Sequence, residues 1–78
     1  MTALYETPVP DPIAQAIARA ESRGPFADPN HAFGVLVEEL VEVLEEVRSG
    51  DRELLRAELL DIAGAALKAV RQIDRGEL

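Results

Sequence analysis

Apolar residues recur along the chain with the spacing of helices in three separate stretches, and nowhere with the period of two that marks strands. Ile13, Ile17 and Ala20 follow Asp11-Pro12, an N-cap residue with a first-turn proline, and the pattern stops at Gly24-Pro25. This predicts a first helix over about residues 12–23. A second stripe, Phe33, Leu36, Leu40, Leu44 and Val47, begins near Asn30, can be capped by Asp28-Pro29 or Asn30, and ends at Ser49-Gly50. It predicts helix over about 30–48. The third face, Leu55, Leu59, Ile62, Ala63, Ala66, Val70 and Ile73, lies between an N-cap at Asp51 and Gly76. Leu60 and Leu67 widen that face, so the third helix is expected to be covered on more than one side.

Prolines 8, 10 and 12 remove donors and bias their predecessors away from helix, which makes residues 1–11 an extended arm. Residues 12–78 then form one all-α domain, in which the short connection around Gly50 folds helices two and three into an antiparallel hairpin.

Composition adds a constraint on stability. A chain of 78 residues has a marginal core, and without cysteine it has no disulfides or thiolate clusters to help. With 47% hydrophobic residues and only 4% aromatic, aliphatic packing between copies is the remaining source, which implies a helical-bundle homo-oligomer, dimer or tetramer. The net charge of −7 argues against nucleic acid or an anionic membrane surface as partner and favours cations. No apolar run approaches the roughly 20 residues that span a bilayer, and the first dozen residues do not resemble a signal peptide, so a cytoplasmic location is expected.

The candidate chemistry lies in carboxylates. Glu38-Glu39-Leu40-Val41-Glu42 and Glu58-Leu59-Leu60-Asp61 place Glu39 beside Glu42, and Glu58 beside Asp61, on adjoining turns. Glu42 with Glu58, and Glu39 with Asp61, are each centred on position 50, so a hairpin about Gly50 brings all four to one height. At roughly 6 Å and an effective dielectric near 20, each like-charged pair would repel by about 3 kcal/mol. Hard divalent cations prefer oxygen ligands, which makes Mg²⁺ or Mn²⁺ the natural counter-charge. Ala65 and Ala69 continue the face of Glu58 and Asp61 and leave room beside them, while Lys68, nearly two turns beyond Asp61, could reach a metal-bound phosphate. His31 and Phe33 fall near the height of Lys68 and are candidate substrate contacts, with capping and core packing as their simpler roles. Arg71 is a secondary candidate for phosphate, because cations near a helix C-terminus also serve its dipole. Glu45, Glu46 and Glu53 are read as partners for Arg48, Arg52 or Arg56.

These motifs carry a resemblance. From Gly24-Pro25-Phe26 through Val70 the chain resembles the MazG-like branch of the all-α nucleoside triphosphate pyrophosphohydrolases, whose signature is E-E-x-x-E, a variable gap, then E-x-x-D. Glu38, Glu39, Glu42, Glu58 and Asp61 match it, and the family's metal ligands would map onto Glu39, Glu42, Glu58 and Asp61. The resemblance implies Mg²⁺-dependent cleavage between the α- and β-phosphates of a nucleotide, giving a nucleoside monophosphate and pyrophosphate. Glu38 is then the candidate to orient the attacking water or accept its proton. The phosphoribosyl-ATP pyrophosphohydrolase branch is also similar around Gly50–Leu55 and Glu58–Asp61. It usually has a lysine before the paired glutamates and a histidine four residues after the aspartate, where this chain has Val35-Leu36-Val37 and Ala65. A third reading, from a different class, is a non-catalytic helical assembly module with its acids on the surface.

Overall fold

A computed structural model describes residues 11–78, so the arm expected over residues 1–11 lies, but for Asp11, outside the described residues. Three helices and no strands make up the described chain: α1 (Asp11–Ser22), α2 (Pro29–Ser49) and α3 (Arg52–Asp74). The all-α class read from the periodicity holds, with helix ends within a residue or two of those expected. Asp28 caps α2 by accepting from the His31 N–H at 2.7 Å, and Asp51 caps α3 by accepting from the Leu54 N–H at 3.0 Å. Gly50 closes α2 in the left-handed conformation (φ 77°), its N–H donating to the Glu46 carbonyl at 3.1 Å. None of these helices is long and apolar enough to cross a membrane.

α3 is the central element and packs against both α1 and α2. Its inward face is built from small and polar residues: Gly64, Ala65, Lys68 and Gln72 are buried. Against α1 the fit is close enough that a Cβ on Gly64 would run into the Ala16 carbonyl, and α1 presents Ala16, Ile17 and Ala20 to this contact. Gln72 holds the α1–α2 connection in place. Its Oε1 accepts from the Phe26 N–H at 2.9 Å and its Nε2 donates to the Phe26 carbonyl at 3.0 Å. Both amide groups of a side chain that is 1% exposed are thereby satisfied, as a buried polar group requires.

The large apolar residues of α2 and α3 have the opposite placement. Phe33, Leu40, Leu44 and Val47 of the α2 stripe, and Leu59, Val70 and Ile73 of the α3 face, are exposed within the single chain, with Leu36 and Leu55 half-buried. The buried core inside one chain is instead Ala16, Ile17 and Ala20 of α1 with a cluster of Phe26, Ala32 and Ala65, on which Val35, Leu36, Ala69 and Leu78 pack. Strong amphipathic stripes therefore mark the outer faces of α2 and α3, and the intrachain contact uses the faces beside them.

Candidate functional site

Glu39, Glu58 and Asp61 converge: each offers a carboxylate oxygen, and the three oxygens lie within 4.8 Å of one another. The packing of α2 on α3 causes this, since Glu39 is buried on the inner side of α2 and Glu58 and Asp61 occupy adjoining turns of α3. Glu42, one turn beyond Glu39, brings its carboxyl into hydrogen-bonding reach of Glu58 and Glu39. Three of the four expected acids thus converge, and Glu42, exposed, stands outside the set but near enough for its charge to raise Glu39 and Glu58.

The electrostatics are strained as the charge arithmetic requires. Glu58 has its pKa pushed up to about 7, chiefly by sharing a hydrogen bond with Glu42, then by burial and by the charges of Glu42, Asp61 and Glu39. Burial, followed by repulsion from Glu42 and Asp61, also raises Glu39. Glu39 Oε2 and Glu58 Oε2 are buried, and among the described residues no amide, hydroxyl or cationic donor reaches either of them. A raised folded-state pKa contributes stability while the group stays protonated and forfeits it as pH climbs through the folded value. The metal-free protein should therefore lose on the order of 2 kcal/mol between pH 5 and pH 8, after allowance for solvent screening. Melting curves in a chelator across that range check the sign; a melting temperature that rises with pH would contradict it.

Two arginines that motif reading did not single out relieve part of the strain. Arg19 Nη2 donates to Asp61 Oδ1 at 3.1 Å, and Arg23 Nη1 stands 3.8 Å from Glu39 Oε1. Arg19 lies in the last turn of α1 and Arg23 just after its end, where no local pattern assigns them to the acid motif; the close α1–α3 packing brings them there.

A cavity of about 370 Å³ adjoins the cluster, within the usual size of small-molecule sites. Glu38, Glu39, Glu42 and Asp61 line it together with Arg23, His31, Phe26, Ala65 and Lys68. Lys68 is 5% exposed, its Nζ lies 3.9 Å from the centre of the Phe26 ring, and no described carboxylate lies within 4.0 Å of it. Burial, with help from the Arg23 charge, lowers its pKa. His31 packs edge-on against Phe26 at 5.4 Å, and its Nδ1 accepts from the Ala27 N–H at 2.9 Å, which leaves the neutral ring its proton on Nε2.

Of the substrate contacts read from sequence, Lys68 and His31 therefore line the cavity, whereas Phe33 and Arg71 do not. Phe33 is 68% exposed on the outer face of α2, so it serves neither a core nor this cavity within one chain. Arg71 pairs with Glu21 of α1 at 3.0 Å. The aromatic ring that does face the cavity is Phe26, anchored by Gln72. No family model, curated protein or solved structure matches the chain.

Proposed function

We propose that the chain is a Mg²⁺-dependent nucleoside triphosphate pyrophosphohydrolase of the MazG-like kind, releasing a nucleoside monophosphate and pyrophosphate. The observation that carries this reading is the pair of buried carboxylate oxygens, on Glu39 and Glu58, that no described amide, hydroxyl or cation satisfies, set in a cluster of three acids with Glu42 beside it, next to a cavity lined by a buried lysine. The donor set suits a hard divalent cation, being all oxygen. Bonds of about 2.1 Å to one Mg²⁺ require ligand oxygens no more than about 4.2 Å apart, so small rotamer changes close a set already within 4.8 Å. Glu39, Glu42, Glu58 and Asp61 would hold the ion, which when bound would neutralise phosphate charge and acidify a water.

The chain's own residues supply the rest. Glu38 lines the cavity next to the cluster without belonging to it, which suits a base that orients water and takes its proton. Lys68 offers a desolvated ammonium to the phosphates, where a charge counts for more than in open water. Phe26 and His31 present ring surface to the nucleoside. Incubation with a panel of nucleoside triphosphates and phosphoribosyl-ATP in Mg²⁺ should release pyrophosphate in preference to orthophosphate from at least one of them. Turnover of none would leave only the assembly reading.

Assembly is part of the same proposal: α2 and α3 form an antiparallel hairpin whose outer aliphatics are covered by further copies of the chain. Exposed Leu40, Val41, Leu44, Val47, Leu54 and Leu59 support it, because so many large apolar side chains left to solvent on two adjoining helices call for cover. Light scattering should return a multiple of 8.5 kDa; a mass of 8.5 kDa at micromolar concentration would remove this half of the proposal.

A further inference from the structure

Arg23 is placed unlike the other cations of the site. It follows the last residue of α1, and its backbone is held by a bond from its own N–H to the Ala20 carbonyl at 3.3 Å and by the Gly24 turn (φ 87°). Its side chain is 62% exposed, while that of its partner Glu39 is 10% exposed. At 3.8 Å the contact is an ion pair without a hydrogen bond, a class worth at most about 1 kcal/mol at a surface. The guanidinium therefore neutralises Glu39 loosely and donates no hydrogen bond to the described residues.

The cavity also contains a second cation. Lys68 lines it, feels the Arg23 charge and has no described carboxylate within 4.0 Å. Two cations, one of them buried and without a described carboxylate partner, share this cavity with Glu38, Glu39, Glu42 and Asp61, so once a metal ion neutralises those acids the two are left to hold an anion between them. A guanidinium is shaped to hold phosphate oxygens in pairs, whereas an ammonium acts as a point charge.

We propose that Arg23 is an exchangeable counter-ion: it covers Glu39 in the metal-free protein and turns to grip a phosphate of the substrate, opposite Lys68, once a divalent cation takes Glu39. This rests on the metal reading above. It makes anion binding conditional on cation binding, because the same positive charge cannot serve Glu39 and the phosphate at once.

The exchange predicts effects of opposite sign from one substitution. Arg23→Gln removes a competitor for Glu39, so the metal-free protein should bind Mn²⁺ about threefold more tightly, the equivalent of a weak surface pair. The same variant loaded with Mn²⁺ should bind methylenediphosphonate, a phosphate-chain analogue that water cannot cleave, at least about tenfold more weakly. Arg19→Gln is the control: Arg19 pairs with Asp61 but does not line the cavity, so it should share the first effect and not the second. Calorimetric titrations of Mn²⁺, then of methylenediphosphonate, into the wild type and both variants read all of this, with melting curves to confirm that each is folded. Tighter metal and weaker diphosphonate for Arg23→Gln alone supports the exchange. Unchanged affinity for both overturns it while leaving the metal site intact, as does equal loss of diphosphonate binding in Arg19→Gln. A wild type that binds no Mn²⁺ overturns the metal reading and the exchange together.

Discussion

If the proposed function is right, replacing Glu39 with glutamine should cut nucleotide hydrolysis by at least about a hundredfold, and at the same time make the metal-free protein more stable. The two effects share one cause. Glu39 is 7% exposed, and burial together with the charges of Glu42 and Asp61 makes its ionised form unfavourable. Glutamine keeps the shape and removes the charge, so the repulsion disappears; the loose contact to Arg23 that is lost with it offsets at most about 1 kcal/mol. A net gain of about 1 kcal/mol would raise the melting temperature by about 5 °C in a domain of this size. The same change would remove a ligand from the proposed cation site, and a lost transition-state charge partner costs several kcal/mol of barrier. A carboxylate retained only to pair with Arg23 would behave in the opposite way: its loss would lower the melting temperature and leave turnover untouched. Thermal melts in a chelator, beside a pyrophosphate-release assay, separate these outcomes.

The largest effect on folding is expected at Gly64. A methyl group there would overlap the Ala16 carbonyl oxygen and carbon and press on the Ala16 side chain at 3.2 Å. Backbone cannot yield as a flexible side chain does, so α1 must lift from α3. Gly64→Ala should therefore cost about 3 kcal/mol, with a fall in melting temperature of more than about 10 °C, even though alanine is the better helix former. Gly34, in α2, provides the comparison, since a Cβ there meets nothing within 4 Å. Gly34→Ala should stabilise by roughly 0.5–1 kcal/mol. Equal melting temperatures for the two variants would mean that α1 does not pack on α3 as described. The consequence reaches the site, because α1 delivers Arg19 and Arg23 to the acids.

Local chemistry made the helices legible. The caps Asp28 and Asp51 and the left-handed Gly50 act within a few residues of themselves, so the pattern around them predicts where α2 and α3 begin and end. The convergence of Glu39, Glu58 and Asp61 was legible in part for a related reason: helical spacing puts Glu58 and Asp61 on adjoining turns of α3, and α2 packs Glu39 against them. Which face packs inside the chain was not legible. Apolar periodicity weights large aliphatics, and those of α2 and α3 lie mostly outside, whereas the inner face of α3 is Gly64, Ala65, Lys68 and Gln72. The burial of Lys68 depends on the ring of Phe26, and that ring is held by Gln72, so neither residue reveals its environment in its own neighbourhood. Arg19 and Arg23 were missed for the same reason, since their partners lie on other helices.

The central claim is that the acids of α2 and α3 form a divalent cation site, and a calorimetric titration of Mn²⁺ into the metal-free protein at pH 7 tests it most directly. Because Glu58 has a pKa of about 7, binding should be saturable and release part of a proton per chain, read as a heat that changes with the ionisation enthalpy of the buffer. No saturable heat, with a melting temperature that Mn²⁺ leaves unmoved, would contradict the account.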